Sequence, residues 1–189
     1  MKPKIIDNFL SEEYNEFLNN NIFGQLSNFN WFHLPNVSGA ELKYKVDGVT
    51  FNKNQDGFYH GCYAENTINS NFYDLFVPVL NKIEKVFDVK INELLRIRIG
   101  MNMQTAEAGS HYPHTDLDIP NKTFLYYIDE SDGDTIFYKQ DSEDENKLTV
   151  DFKNPHTQNQ AVLFDGLTLH SSSSPIKYNR RTTVNINFV

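Results

Sequence analysis

His111-Tyr112-Pro113-His114-Thr115-Asp116-Leu117-Asp118 is the stretch on which the reading of this chain turns. It sets an imidazole and a carboxylate two residues apart. On extended backbone alternate side chains share a face, so His114 and Asp116 point one way and Thr115 the other. His111, three residues before His114, then faces away and belongs at the rim. Far downstream, Leu167-Thr168-Leu169-His170-Ser171 alternates apolar and polar residues, as a strand does when it carries a histidine inward. Two imidazoles and one carboxylate make a facial set that suits non-haem Fe(II) and leaves coordination positions open.

Upstream of the stretch the hydrophobic period is two. Leu95, Ile97, Ile99 and Met101 form one face of a strand, and Arg96, Arg98, Gly100 and Asn102 form the other. Arg96 and Arg98 are placed either to touch a substrate or to pair with nearby acids such as Asp118, and pairing is the favoured expectation. Further short strands are expected near 113–117, 123–129, 134–139, 147–152, 160–164, 168–171 and 181–189, at spacings that suit an antiparallel sandwich or barrel. Turns are expected at Glu130-Ser131-Asp132-Gly133-Asp134 and at Asp165-Gly166, where glycine supplies a positive φ. The acidic run Asp141-Ser142-Glu143-Asp144-Glu145 reads as a solvated hairpin loop.

The first half reads as more helical. After a short strand over Lys4–Phe9, Ser11 is placed to cap a helix that has Glu12 and Glu13 in its first turn and loses definition at Asn19-Asn20-Asn21. Ser70 is placed to cap a second helix whose apolar face runs from Phe72 through Leu80 and Ile83 to Phe87, with a bend at Pro78. Between them, residues 29–61 are irregular and aromatic-rich, as in the wall or lid of a barrel mouth. Helices first and short strands afterwards predict a β core buttressed on one face by helices, a mainly β (α+β) class.

Size and charge bound the rest. A chain of 189 residues with 15 Phe and 10 Tyr is expected to fold as one domain, 1–189, with a core that needs no disulfide. Lys plus Arg number 17 against 25 for Asp plus Glu, a formal charge of −8 that leaves no basic face for nucleic acid. Cys62 is the one cysteine, so no intramolecular disulfide forms. The first residues lack the apolar run of a signal peptide, and no window reaches membrane-spanning length, so the expectation is a soluble, cytoplasmic protein without a membrane partner.

Together, His114-x-Asp116, Leu125-Tyr126-Tyr127-Ile128-Asp129 leading into Asp132-Gly133-Asp134-Thr135, Phe164-Asp165-Gly166 before His170, and Arg180-Arg181 opening the last strand resemble the Fe(II)- and 2-oxoglutarate-dependent dioxygenases, in particular the small prolyl-4-hydroxylase-like members. The resemblance covers roughly residues 93–189, with the helical part, 1–92, matching more loosely. It implies a double-stranded β-helix (jelly-roll, cupin-like) core in which His114, Asp116 and His170 hold Fe(II). The cosubstrate 2-oxoglutarate then chelates the iron, and O2 takes the remaining position. The far carboxylate needs a buried guanidinium, either Arg180 or Arg181. Strand parity favours Arg181, because Thr183, Asn185 and Asn187 then face inward while Val184, Ile186 and Phe188 face the helices. Thr183 and Tyr127 match positions that join that carboxylate in relatives. The implied reaction is hydroxylation of a C–H bond with release of succinate and CO2, on a prolyl or other residue of a peptide or protein, or on a free small molecule. The alternative is a non-catalytic cupin-like metal-binding or interaction module.

Overall fold

Residues 2–189 are described in a computed structural model. In chain order the elements are β1 (Lys4–Ile6), α1 (Glu12–Phe23), β2 (Phe32–Leu34), β3 (Lys45–Val46), β4 (Gly57–Ala64), β5 (Thr67–Ile68), a 3-10 turn (Tyr73–Phe76), α2 (Val77–Phe87), β6 (Leu94–Met103), β7 (Lys122–Tyr127), β8 (Thr135–Gln140), β9 (Lys147–Asn154), β10 (Ala161–Asp165), β11 (His170–Ser172) and β12 (Arg180–Phe188). Two sheets result. The larger runs β1-β10-β7-β12-β6-β4-β2, with β5 paired to β4, and the smaller runs β11-β8-β9-β3.

Side-chain alternation gives the larger sheet its two faces. On one, Ile97, Ile99, Phe124, Tyr126, Val184, Ile186 and Phe188 are buried together with Leu18 and Ile22 of α1 and Val79, Ile83 and Phe87 of α2. Each such side chain contributes roughly 1.5–3 kcal/mol when fully buried, so the helices are held by this face and in turn fix which face looks the other way. That opposite face is mostly polar along β6 and β12. Where β7 and β10 meet the smaller sheet, Leu125, Tyr127, Phe137, Val162 and Phe164 form a second apolar cluster. A third cluster, Ile136, Tyr138 and Leu148, is covered by Tyr44, Val46 and Val49.

Several expectations need correction. The segment 113–117 is not a strand. Pro113 has no N–H to give a ladder, and one isolated bridge joins His114 to His170. The second helix starts at Val77, so Pro78 occupies its first turn, where a missing N–H costs nothing, and does not bend it. Ser70 does not cap that helix; its hydroxyl accepts from the Phe72 amide and meets His60. Gly133 and Gly166 do not have positive φ. Glycine is required there by close approach: a Cβ on Gly133 would collide with the Ser173 carbonyl and lie 2.7 Å from Arg181 Cδ. The strand expected over Lys4–Phe9 is β1, shortened to Lys4–Ile6, and it joins the same sheet as β6, β7, β10 and β12, as does β4, whose eight residues run past the irregular segment to Ala64.

Other expectations hold. Ser11 caps α1 through the Tyr14 amide, and the helix passes the asparagine run to end at Phe23. The acidic run lies exposed between β8 and β9. Among the described residues, no helix is long and apolar enough to cross a membrane.

Candidate functional site

The isolated bridge is the device that brings the two histidines together. His114 N–H donates to the His170 carbonyl and His170 N–H donates to the His114 carbonyl, both at 3.0 Å. Residues paired in this way present their side chains on the same face, and the two rings stand 4.8 Å apart between centroids. Each Nδ1 is 3.0 Å from a backbone carbonyl two residues earlier, Tyr112 for His114 and Thr168 for His170. Nδ1–H donation to those carbonyls fixes the tautomer and leaves both Nε2 lone pairs for a ligand. Burial pushes His114 down to about 4, so its imidazole is neutral at ordinary pH.

Asp116 reaches the same point from the other side, held by the larger sheet. Arg96 Nη2 donates to its Oδ1 at 2.9 Å and Asn185 Nδ2 to its Oδ2 at 2.9 Å, with Asn187 and Thr123 at 3.4 Å. Burial acts to raise this carboxyl, but the neighbouring His170, Arg96 and His114 outweigh it and hold Asp116 well below the usual carboxylate range. Its Oδ2 lies 3.8 Å from His170 Nε2. One ligand atom from each of His114, Asp116 and His170 can be chosen such that all lie within 4.8 Å of one another. Two imidazoles with their Nε2 atoms free and an ionised carboxylate, oriented by outer hydrogen bonds, fit a divalent transition metal such as Fe(II).

The triad lines a pocket between the sheets. Its walls include Thr183 and Asn185 of β12, Thr135 of β8, Leu125 of β7, Phe58 of β4, and Val37 from the irregular early segment. Arg181 lines it as well and is 4% exposed. Its Nε donates to the Gly133 carbonyl and its Nη2 to Thr135 Oγ1, each at 2.7 Å. No protein acceptor meets Nη1 among the described residues. Arg180, its neighbour, is turned outward: it pairs with Asp129 at 3.0 Å and lies over the Phe23 ring. Tyr127 is buried, but its hydroxyl meets Thr135 Oγ1 at 2.7 Å and receives the Asn154 amide. It also faces Arg181, whose guanidinium carbon lies 5.6 Å from its ring centroid, so it reaches the pocket through both Thr135 and Arg181.

His111 departs from the expected rim position. It is fully buried, its Nδ1 against the Ser172 carbonyl and hydroxyl, and it is not part of the triad. Arg96 pairs with Asp116, not Asp118. The sequence reading did not single out Thr135 or Thr123, and it placed Asn185 and Asn187 inward without recognising that they hold Asp116. Parity supplied the available signal, because Arg96, Asn185 and Asn187 lie on the same face as the site.

No family model matches this sequence, and no curated protein matches it. Solved structures do. A prolyl hydroxylase from Trichoplax adhaerens, in complex with a hypoxia inducible factor oxygen degradation domain peptide, is 12% identical with a TM-score of 0.63, covering 98% of this chain and 82% of that one. The epimerase SnoN from nogalamycin biosynthesis, described as non-heme and alpha ketoglutarate dependent, is 10% identical with a TM-score of 0.65, covering 98% and 78%. A prolyl-4-hydroxylase from Pseudomonas putida is 10% identical with a TM-score of 0.58, covering 98% and 91%. At these identities the likeness is one of fold, and it shows that the two curled sheets form the jelly-roll core of such proteins.

Proposed function

We propose that this chain is an Fe(II)- and 2-oxoglutarate-dependent oxygenase that hydroxylates a C–H bond. The observation that carries the reading is the presence, in one pocket, of a three-donor metal face and a buried guanidinium with an uncommitted nitrogen. A structural metal has no use for Arg181, which weighs against the non-catalytic module. Bound iron would supply the oxidising chemistry, in which 2-oxoglutarate and O2 give succinate, CO2 and one oxygen atom for the substrate C–H bond.

His114 and His170 hold the metal through Nε2, each ring fixed by its Nδ1 hydrogen bond. Asp116 supplies the negative ligand, and Arg96 and Asn185 keep its carboxylate from turning. Arg181 receives the far carboxylate of 2-oxoglutarate, pre-set by Gly133 and Thr135, so little ordering entropy is lost when the cosubstrate docks. Thr183 presents a hydroxyl on the same wall. Tyr127 supports both Thr135 and Arg181. Leu125, Phe58 and Val37 limit water around the reacting bond.

For the substrate, the likeness to prolyl hydroxylases supports a prolyl or other residue in a peptide or protein. The likeness to SnoN supports a small molecule as the second reading. Purified protein given Fe(II), isotopically labelled 2-oxoglutarate and air is expected to yield labelled succinate, with none from His170→Ala. Metal binding without any succinate, across a panel of prolyl peptides and small cyclic amino acids, would favour the binding module.

A further inference from the structure

Arg98 is the cation of this pocket that has no ion-pair or hydrogen-bond partner among the described residues. It lines the pocket on β6 with Arg96 on one side and Gly100 on the other. Arg96 is spoken for by Asp116 and Asn187, and Arg181 by Gly133 and Thr135. Arg98 makes no ion pair and no side-chain hydrogen bond among the described residues. Its one recorded side-chain interaction is with the Tyr59 ring, whose centroid lies 5.0 Å from the guanidinium carbon.

The surroundings leave room at that point. Across the sheet Arg98 is opposite Asn185 on β12 and Gly61 on β4. Gly61 has no side chain, and a Cβ built there would meet nothing within 4 Å, so the cross-strand position opposite Arg98 is unfilled. Asn185 gives its Nδ2 to Asp116, while its Oδ1 is buried without any donor. Arg98 thus has an unfilled cross-strand position on one side and, on the other, an asparagine whose amide is committed to Asp116. Burial and the neighbouring Arg96 both disfavour the charge on Arg98, and only Asp116 and Tyr59 offset them. A partly buried guanidinium without a counter-charge costs free energy that a bound anion returns.

Charge balance in the loaded site points the same way. On the reading that the site takes Fe(II) and 2-oxoglutarate, the two charges of the metal cancel the two of the cosubstrate, and Asp116 cancels Arg96. Arg181 and Arg98 then leave the site positive, and the far carboxylate of 2-oxoglutarate lies against Arg181. We propose that Arg98 binds an anionic group, a carboxylate or a phosphate, of the primary substrate and so sets which substrates enter; this rests on the oxygenase reading.

The test uses the whole chain loaded with Mn(II), a redox-silent substitute for iron, and saturating 2-oxoglutarate. Nuclear relaxation of acetate, inorganic phosphate and neutral acetamide by the bound Mn(II) reports which of them approaches the metal. Acetate or phosphate, but not acetamide, is expected to be relaxed, and the stronger of the two identifies the anion. Arg98→Gln is expected to reduce that effect about tenfold, as loss of one charge-assisted hydrogen bond does. Arg98→Lys should recover part of it, and 2-oxoglutarate affinity should stay the same in both variants, which also shows that they fold. Equal relaxation in Arg98→Gln and wild type overturns the proposal, as it would if the anion ligated the metal directly. A loss of 2-oxoglutarate affinity in Arg98→Gln overturns it too, by making Arg98 a cosubstrate residue. Failure of wild type to bind 2-oxoglutarate is a separate result that removes the oxygenase reading itself.

Discussion

At the scale of the residue, two adjacent arginines differ in which way they face. Arg181→Met should retain the metal and lose about 100-fold in 2-oxoglutarate affinity, on the order of 2–3 kcal/mol for a buried charge-assisted pair, whereas Arg180→Met should leave it within error. Titration calorimetry of the two Mn(II)-loaded variants checks this, and the reverse pattern would move the anchor to Arg180. Arg96 is a positioning residue, acting through Asp116. Its replacement by Met should weaken metal binding by roughly 10- to 100-fold with little change in 2-oxoglutarate affinity once the metal is saturating, the usual cost of removing a partner of a ligand. Arg96→Lys should recover part of that loss, which a purely structural defect would not. Residue types and parity brought His114, Asp116 and His170 together in the sequence, whereas Arg181 and the inward row Thr183, Asn185 and Asn187 came from parity only after the resemblance had implied a carboxylate anchor. The role of Arg96 was not legible, because a strand-borne arginine near several acids has no preferred partner in one dimension. Its true partner, Asp116, became evident only once β6 was set beside the loop that carries it.

Among the elements, the bridge between His114 and His170 replaces the strand that the sequence led us to expect. Parity put His114 and Asp116 on one face, but Pro113 interrupts any ladder, and the alignment comes from the reciprocal His114–His170 pair of hydrogen bonds, with the His111 amide donating to the Ser172 carbonyl of β11 beside it. Helix and strand periodicities were readable because each element buries one face against another. Turn geometry was not, since Gly133 looks like any flexible turn residue until Ser173 and Arg181 are packed against it. Gly133→Ala should therefore cost roughly 1–3 kcal/mol, in the range for inserting a methyl group into a packed region, and should also lower 2-oxoglutarate affinity by displacing Arg181. Chemical denaturation and calorimetry on one preparation measure both, and an unaltered affinity would show that Arg181 does not depend on this turn. Ser11→Ala, which removes the cap of α1 on the far side of the sheet, should cost about 1 kcal/mol and leave the site untouched.

For the whole molecule, pH is a coarse probe of the packing. Burial pushes both His111 and His156 down to about 4, and His156 has its Nε2 against the Asp129 carbonyl and a bare buried Nδ1. Each is neutral when folded, while unfolding restores a value near 6.5, so protons bind the unfolded chain preferentially below that pH. Their contribution is fully present above about pH 6.5 and is lost as pH falls toward 4, on the order of 3 kcal/mol per imidazole at the limit. Tm of the metal-free protein should be flat above pH 7 and fall below 6.5, and His156→Gln should flatten part of that slope; the same slope in the variant would remove His156 from the explanation. The fold then has a simple division of labour: helices cover one face of the larger sheet, and the other face, closed by the smaller sheet, holds three donors and three guanidiniums around one pocket. The most direct measurement on that pocket is the visible spectrum of the protein with Fe(II) and 2-oxoglutarate in the absence of oxygen, followed by admission of air. The account predicts a metal-to-cosubstrate charge-transfer band that needs both components, is absent in Asp116→Ala, and decays in air as succinate forms; iron bound with no band and no succinate would contradict it.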